Sequence, residues 1–265
     1  MRIDLAGKIL LVTGSTQGTG ARVAEVAAAS GAAGITICGR NEAQGKTLST
    51  ALTDAGCPTL FVAADLADPG APEHVAATAL AHFGRLDLLV NAAGATDRAS
   101  ILDGTVADWE RLFALNARAP FFLMQAFVRH LLQRGAPGAI VNILSMNAHC
   151  GTPDLAIYAA SKGALATLTK NAANAHLADR IRANGINMGW AATPAEHRMQ
   201  SELLGKGADW QAHAAAGMPL KRMLSVDEVA QLALFLLSDL SGLLTGTIID
   251  LEQAVVGAPS VARDC

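Results

Sequence analysis

The sequence Thr13-Gly14-Ser15-Thr16-Gln17-Gly18-Thr19-Gly20 joins an apolar run over 9–13 to a helical pattern over 18–30. Its glycines permit a tight turn and let backbone N–H groups approach a phosphate closely, while the N-terminus of a helix carries partial positive charge. A strand, a glycine-rich turn and a helix in this order predict a loop that binds a pyrophosphate. An ordinary turn between strand and helix stays open as the alternative, because the spacing is Gly-x-x-x-Gly-x-Gly rather than the commoner Gly-x-Gly-x-x-Gly.

Short apolar runs alternate with longer helical patterns along the chain. The predicted strands cover residues 9–13, 35–38, 60–63, 86–91, 139–144, 181–188 and 247–251, and the predicted helices cover 18–30, 41–55, 70–83, 106–133, 156–179 and 226–238. Because the runs are apolar throughout, we expect helices on both faces of the sheet. The pattern predicts an α/β fold of the Rossmann type, a doubly wound parallel sheet of seven strands, in one domain over 1–265. The segment 194–224 is predicted to form a substrate lid above the strand ends.

The composition narrows the function classes. The 265 residues are 51% hydrophobic and 16% charged, which is typical of a packed globule. With a net charge of −3, we expect no attraction to nucleic acid or to an anionic membrane surface, and the N-terminal apolar run is too short for a signal peptide. The sequence therefore predicts cytoplasmic residence. Four cysteines without metal-ligand spacing are interpreted as free thiols: Cys38, Cys57, Cys150 and Cys265.

Tyr158 and Lys162 are four residues apart in a segment of strongly helical composition, so their side chains share one helix face. Taken alone, this spacing is common by chance and usually marks a surface pair. Ser145 changes the interpretation because it directly follows the buried run 139–144, and therefore belongs at the C-terminal edge of the sheet. We expect the three side chains to converge on one ligand.

Together with the glycine turn, these residues resemble the short-chain dehydrogenase/reductase family. Further matches follow in the family's order over nearly the whole chain: Asp65-Leu66, Asn91-Ala92-Ala93-Gly94, Asn116, and Asn187-Met188-Gly189 with Thr193. The resemblance implies a nicotinamide-dependent oxidoreductase that interconverts a secondary alcohol and a carbonyl group. No metal ion is needed for that chemistry, and His149, His197 and His213 are too far apart in sequence to indicate a metal site.

The resemblance also implies roles for four catalytic residues. Tyr158 would donate a proton to the carbonyl oxygen in reduction and accept it in oxidation, while Ser145 hydrogen-bonds the same oxygen. Lys162 would hold the nicotinamide ribose and, together with the oxidised nicotinamide, lower the Tyr158 pKa. Asn116 would position a water molecule for proton relay, with an ordinary polar helix residue as the alternative. The implied cofactor-binding residues are Gly14, Ser15, Thr16, Gln17, Gly18, Thr19, Gly20, Arg40, Asn41, Asp65, Leu66, Asn91, Ala92, Ala93, Gly94, Tyr158, Lys162 and Thr193.

The residues Gly39-Arg40-Asn41 after the second strand indicate whether the cofactor is NAD(H) or NADP(H). An acidic residue there would accept hydrogen bonds from the adenine ribose and repel a 2′-phosphate. The chain has Arg40 instead, whose guanidinium offers charge-assisted hydrogen bonds to a phosphate. NADP(H) is therefore favoured over NAD(H), and the alternative is that Arg40 is a solvated surface residue.

The sequence departs from the family's pattern at four places. Leu144 precedes Ser145 where a second serine is frequent, and Ala92 replaces a frequent asparagine. Met188 replaces the usual proline and loosens the backbone that leads to Thr193, which by resemblance binds the nicotinamide carboxamide. The residues Leu251-Glu252-Gln253 replace an Asp-Gly-Gly-like ending. None of these changes removes a catalytic group.

The substrate is predicted from residues 195–220, which mix polar side chains such as Glu196, His197, Arg198, Gln200 and His213 with apolar ones. This favours a small polar sugar, polyol or oxo compound, and His149 is the histidine most expected to touch it. A 3-oxoacyl-type or other ketone reductase stays open, as does a catalytically silent NADP-sensing regulator. An epimerase or dehydratase of nucleotide sugars is disfavoured because little chain follows Thr193. By resemblance, we expect a homotetramer formed through the helices 106–133 and 156–179.

Overall fold

The computed structural model describes residues 3–258. Its strands are β1 (Ile9–Thr13), β2 (Gly34–Gly39), β3 (Thr59–Ala63), β4 (Leu88–Asn91), β5 (Gly138–Ile143), β6 (Ile181–Met188) and β7 (Ile248–Leu251). Within the described residues they form one seven-stranded sheet in the order β3-β2-β1-β4-β5-β6-β7, and every neighbouring pair is parallel. The chain order reverses between β1 and β4, which is where the ligand crevice of such sheets lies.

Helices cover both faces of the sheet. They are α1 (Gly18–Ala29), α2 (Glu42–Asp54), α3 (Ala71–Phe83), α4 (Val106–Phe113), α5 (Ala119–Arg134), α6 (Ala156–Ala175), α7 (Pro194–His197), α8 (Trp210–Gly217) and α9 (Val226–Leu237). Side chains alternate along a strand, so Leu10 and Val12 of β1 pack with α1, α2 and α9, while Ile9 and Leu11 pack with α3, α5 and α6. The predicted doubly wound Rossmann-type α/β fold is confirmed.

The helix predicted over 106–133 is not continuous. A π-helical turn, Ala114–Arg118, separates α4 from α5 and contains the fully buried Asn116. Such turns insert an extra residue and are frequent at functional sites. The helix predicted to reach residue 179 ends at Ala175, because His176 leaves the helical conformation at φ −119°. The segment 194–224 contains α7, a second π-helical turn (Arg198–Leu203) and α8, which the sequence pattern did not indicate.

The described residues bear on three expectations, which concern membrane spans, metal ions and the cysteines. No helix in residues 3–258 combines the length and apolar character needed to cross a bilayer, and cytoplasmic residence stays a prediction of the sequence. Within the same residues, no three His, Cys, Asp or Glu side chains come close enough together to hold a metal ion. Cys38 and Cys57 are buried and Cys150 is exposed, all three as free thiols, while Cys265 lies outside the described residues.

Candidate active site

The glycine turn after β1 packs against the turn after β4. Gly14 has φ +62°, and a Cβ on it would lie 2.6 Å from the Cα of Ala93, so no larger residue fits. A Cβ on Gly20 would lie 2.5 Å from the carbonyl oxygen of Gly14. The Thr13 hydroxyl accepts hydrogen bonds from the backbone N–H groups of Ala92 and Ala93, at 3.1 and 3.2 Å. These contacts bring the predicted segments 13–20 and 91–94 together at the C-terminal edge of the sheet.

The N-terminus of α1 is open to a ligand. Gln17 caps the helix without a side-chain hydrogen bond, and the first turn has no acidic residue. Gly18 has φ +58°, and a Cβ on it would lie 3.5 Å from Thr193 at the start of α7. The Ser15 hydroxyl turns inward and donates to the carbonyl oxygen of Val12 at 2.7 Å, and the Ser15 backbone N–H donates to the carbonyl oxygen of Cys38 at 3.1 Å, so both donors are already used within the protein. The first backbone N–H groups of a helix have no partner within it, and at the start of α1 these groups and the close glycine packing fit a pyrophosphate.

The residues predicted for the adenine end lie beside one another. Arg40 Nη1 is 3.9 Å from Asp65 Oδ2, and the Arg40 side chain is 75% exposed, so its guanidinium has room for a further partner. The Asn41 side chain accepts a hydrogen bond from Gln44 N at 3.1 Å and caps α2. Leu66 is buried. Arg40 after β2 and Asp65 after β3 thus lie side by side, whereas Asn41 contributes first to the helix.

A polar chain runs beneath the turn after β4. Asn91 Nδ2 donates to Asn142 Oδ1 at 2.8 Å, and Asn142 Nδ2 donates to Thr169 Oγ1 of α6 at 2.8 Å. Asn91 is 1% exposed, and its Oδ1 finds no hydrogen-bond partner among the described residues. A buried acceptor without a donor is costly, so this atom suits a donor group of a bound ligand, such as a ribose hydroxyl.

Ser145, Tyr158 and Lys162 converge at the ends of β5 and α6. Lys162 Nζ donates to the carbonyl oxygen of Ile143 at 2.8 Å, two residues before Ser145. A Cβ on Gly94 would lie 3.4 Å from the same Nζ, which places the turn after β4 beside the lysine. Both Tyr158 and Lys162 are nearly buried, at 6% and 5% exposed. Ser145, Tyr158 and Lys162 therefore lie beside the turn after β4, which itself packs against the glycine turn.

Burial is the main influence on the pKa values of Tyr158 and Lys162. Burial raises the pKa of Tyr158 to about 12, the facing hydroxyl of Ser145 and the charge of Arg98 oppose this rise, and the charge of Glu196 adds to it. Burial also lowers the pKa of Lys162 to about 8. Loss of hydration thus outweighs the lowering of the Tyr158 pKa by Ser145 and Arg98, while the lowering expected from Lys162 together with the oxidised nicotinamide stays a prediction.

The Asn116 side chain is held on three sides. Its Nδ2 donates to the Ala95 carbonyl oxygen and to Ser161 Oγ, both at 3.0 Å, and its Oδ1 accepts from Ala95 N at 3.0 Å. Ser161 Oγ in turn donates to the carbonyl oxygen of Tyr158 at 2.7 Å. The π-helical turn therefore ties the turn after β4 to the first part of α6. The predicted relay role would use the remaining lone pair of Oδ1 for a water molecule.

Two charged residues near Tyr158 were not singled out from the sequence. Arg98 forms an ion pair with Asp154, with Nε and Oδ2 3.0 Å apart. Glu196 belongs to α7, and the sequence indicated it only as one polar residue among several in 195–220. No local motif marks either position, because their proximity to Tyr158 arises from loops that fold back over the strand ends.

His149 has a partner other than substrate. Its Nε2 lies 2.9 Å from Asp250 Oδ1 on β7, and Asn187 Nδ2 on β6 lies 3.1 Å from the same Nε2. Asn187 also donates to Asp250 at 2.8 Å. Burial raises the Asp250 pKa, but hydrogen bonds from His149 and Asn187 outweigh it and leave that pKa below its usual value. His149 is thus anchored to the sheet edge, and its predicted substrate contact remains a prediction.

The unusual ending Leu251-Glu252-Gln253 anchors the segment after β6. Glu252 Oε2 accepts from the backbone N–H of Trp190 at 3.0 Å, and Gln253 Oε1 accepts from Leu220 N at 2.8 Å. Met188 packs against the core formed with α1 and α9. Thr193 still caps α7 through Glu196 N at 3.1 Å and lies against Gly18, so the missing proline does not displace it from the glycine turn.

Known proteins share both the sequence pattern and the fold. A family model described as enoyl-(acyl carrier protein) reductase matches residues 14–253. L-xylulose reductase of Bos taurus is 34% identical over 95% of this chain and 98% of its own length. The structure of L-sorbose reductase from Gluconobacter frateurii, with NADPH and L-sorbose, superposes with a TM-score of 0.91 at 29% identity, covering 98% of this chain and 100% of that one.

A second solved structure agrees with the first. Gluconate 5-dehydrogenase from Burkholderia cenocepacia, in complex with NADP and tartrate, has a TM-score of 0.84 at 32% identity and covers 95% of this chain and 96% of that one. The matches extend over nearly the whole chain and span the glycine turn, Ser145, Tyr158 and Lys162. The protein therefore belongs to the short-chain dehydrogenase/reductase family and is an NAD(P)-dependent oxidoreductase of alcohols and ketones.

Proposed function

We propose that the protein uses NADP(H) to interconvert a small polar secondary alcohol and its ketone, with Tyr158 as the general acid and base. The observation that carries this proposal is the convergence of Ser145, Tyr158 and Lys162 beside the glycine turn. The Lys162 ammonium lies 2.8 Å from the carbonyl oxygen of Ile143, which fixes it next to the strand end that leads into Ser145. A proton donor and a hydrogen-bond donor thus face one cleft.

In reduction, Tyr158 donates its proton to the carbonyl oxygen while Ser145 hydrogen-bonds that oxygen. In oxidation, the tyrosine accepts the proton. The nicotinamide, when bound, supplies or accepts the hydride. Because burial raises the pKa of Tyr158 to about 12, the residue is protonated at neutral pH and suited to donate in the reductive direction. Lys162 contributes a positive charge and Asn116 holds the backbone of α6 through Ser161.

The cofactor-binding residues divide into three groups. Gly14, Gly18 and Gly20 would accept the pyrophosphate against backbone N–H groups, Asn91 Oδ1 would accept from a ribose hydroxyl, and Arg40 would hold a 2′-phosphate. The weak, 3.9 Å pairing of Arg40 with Asp65 leaves most of the guanidinium free for that phosphate. The L-sorbose reductase and gluconate 5-dehydrogenase structures, to which this chain is similar, contain NADPH and NADP.

Polar groups around the cleft favour a sugar, polyol or small oxo compound. The similar proteins named above include enzymes of L-xylulose, L-sorbose and gluconate. A reductase of 3-oxoacyl or other ketones is the second candidate, since the matching family model carries an acyl-carrier name. We further propose one domain over 1–265 with a substrate lid at 194–224, cytoplasmic residence, and a homotetramer formed through α4, α5 and α6.

The decisive experiment compares wild type with Tyr158→Phe. With NADPH and a panel of ketoses, keto acids and 3-oxoacyl esters, the variant should lose about 100- to 10,000-fold in kcat, because the proton donor is absent. NADPH fluorescence titration should give an unchanged Kd, since the ring remains. A wild type that binds NADPH yet reduces no carbonyl compound would favour the NADP-sensing regulator and contradict the proposed function.

A further inference from the structure

Glu196 belongs to the short helix α7, which begins beside the glycine turn. It is the third residue of α7, whose cap Thr193 would lie 3.5 Å from a Cβ on Gly18. Its negative charge contributes to the raised pKa of the Tyr158 hydroxyl. Glu196 therefore belongs to the segment that borders the cleft in which a substrate carbonyl would reach Tyr158.

The carboxylate is held in one orientation. Trp190 Nε1 donates to Glu196 Oε1 at 2.8 Å, and Gln200 Nε2 donates to the same oxygen at 2.6 Å. Gln200 is 2% exposed, so its amide cannot easily exchange this bond for water. In residues 3–258 the other oxygen, Oε2, has no hydrogen-bond partner. One oxygen is thus fixed by the protein, while the second is free to accept a hydrogen bond.

In the part of the chain that the structure describes, no neighbouring cation forms an ion pair with Glu196. Arg98, the cation that acts on Tyr158, is paired with Asp154 at 3.0 Å. Lys206 is exposed, and its Nζ lies 5.9 Å from the centre of the Trp190 ring. Solvent screens the charge of this ammonium group. Lys162 donates to the carbonyl oxygen of Ile143. Of the two charged side chains that act on Tyr158, Arg98 and Glu196, only Glu196 has no ion-pair partner within residues 3–258.

We infer that Glu196 Oε2 accepts a hydrogen bond from a hydroxyl group of the substrate, so that the enzyme selects neutral hydroxy ketones and rejects their anionic counterparts. The inference rests on the proposed function and narrows its substrate class. A substrate hydroxyl gains a charge-assisted hydrogen bond from a pre-oriented acceptor. A substrate carboxylate at the same position meets a like charge in a partly buried site, where Coulomb repulsion is stronger than in water.

The test uses a matched pair of substrates. 5-Keto-D-gluconate is L-sorbose with the CH2OH group farthest from the carbonyl oxidised to a carboxylate, so the two differ in charge and not in configuration. Wild type should reduce L-sorbose with a kcat/KM at least about tenfold above that for 5-keto-D-gluconate, because the two differ by one repulsive contact. Glu196→Gln keeps both bonds to Trp190 and Gln200 but removes the charge, and should lower this ratio about tenfold.

Glu202→Gln is the matched control, because Glu202 is an exposed residue of the same segment that pairs with Arg198 at 3.7 Å. It should leave the substrate ratio unchanged. Trp190→Phe keeps the carboxylate charge but removes one orienting bond, and should raise the KM for L-sorbose more than it lowers kcat. Circular dichroism melting of each variant separates loss of fold from loss of selectivity.

The outcomes distinguish this inference from the proposed function. Any of three results overturns the role of Glu196 while carbonyl reduction stands. They are a wild type that prefers 5-keto-D-gluconate, a substrate ratio that Glu196→Gln does not change, and an equal change of that ratio in Glu202→Gln. A wild type that reduces no carbonyl compound overturns both.

Discussion

The ammonium group of Lys162 and the backbone carbonyl oxygen of Ile143 are 2.8 Å apart, which ties α6 to the last residue of β5. Ser145 follows Ile143 by two positions, and Tyr158 precedes Lys162 by one helical turn. This hydrogen bond therefore holds the segments that carry the Ser145 and Tyr158 hydroxyl groups close together. The ammonium is nearly buried, at 5% exposed, and its pKa falls to about 8 because it loses hydration. The folded protein would therefore be more stable if the side chain at position 162 carried no charge.

Replacing this lysine should stabilise the protein. Because the folded-state pKa of about 8 lies below the ordinary value of 10.5, the penalty is fully present below pH 8 and is lost as the pH rises towards 10.5. Lys162→Met should raise the free energy of unfolding at pH 7 by about 1–3 kcal/mol, less than the full shift implies because Ile143 loses its donor. The difference from wild type should shrink in urea melts at pH 9 and 10, and the variant should be inactive.

Lys170→Met is the control for this prediction, because Lys170 is exposed on the same helix. We expect its stability to stay within about 0.5 kcal/mol of wild type at every pH, as for surface substitutions in general. A Lys162→Met protein that is less stable than wild type at pH 7 would contradict the argument from burial.

Arg40 should determine the preference for NADPH. Arg40→Leu removes the guanidinium that would bind the 2′-phosphate, so the Kd for NADPH should rise about tenfold or more while that for NADH changes less than about twofold. Lys46→Leu is the matched control, since Lys46 is a cation on the neighbouring helix that pairs with Glu42. Fluorescence titration with both nucleotides checks the result, and tighter binding of NADH than NADPH by wild type would refute the role of Arg40.

Gly14 should tolerate no side chain. Gly14→Ala combines an unfavourable φ of +62° with a Cβ 2.6 Å from the Ala93 backbone. We expect a loss of about 2–4 kcal/mol in unfolding free energy and weaker NADPH binding. Gly56→Ala is the comparison, because Gly56 has φ +95° and a Cβ there would meet no atom within 4 Å, so only the backbone strain applies, about 1 kcal/mol. Equal losses in the two variants would show that the contact with Ala93 is unimportant.

The proposed tetramer gives a simple mass prediction. Light scattering should give four times the chain mass of 27.2 kDa. Phe121 on α5 is 40% exposed in the single chain, and Phe121→Arg should reduce the mass by placing a charge in the proposed interface. Leu203→Arg serves as the control, because Leu203 is an exposed apolar residue outside these helices. A monomeric wild type would contradict the proposed assembly.

The sequence by itself determined the order of strands and helices and the places where chemistry could occur. Apolar runs indicated strands buried on both faces, and the glycine turn and Ser145 each followed such a run, so their position at the sheet edge could be predicted from local pattern. The contact between Gly14 and Ala93 is the physical reason that glycine is needed there.

Tertiary structure alone decided the interactions that depend on distant segments. The π-helical turn at Asn116 is favoured by hydrogen bonds to Ala95 and Ser161, which no helical periodicity reveals. The Tyr158 pKa rises because packing removes water, and Glu196 acts on Tyr158 because the segment after β6 folds back onto Gly18. Local propensity fixes which element forms, whereas desolvation and charge at the site are set by residues that meet only when the chain is folded.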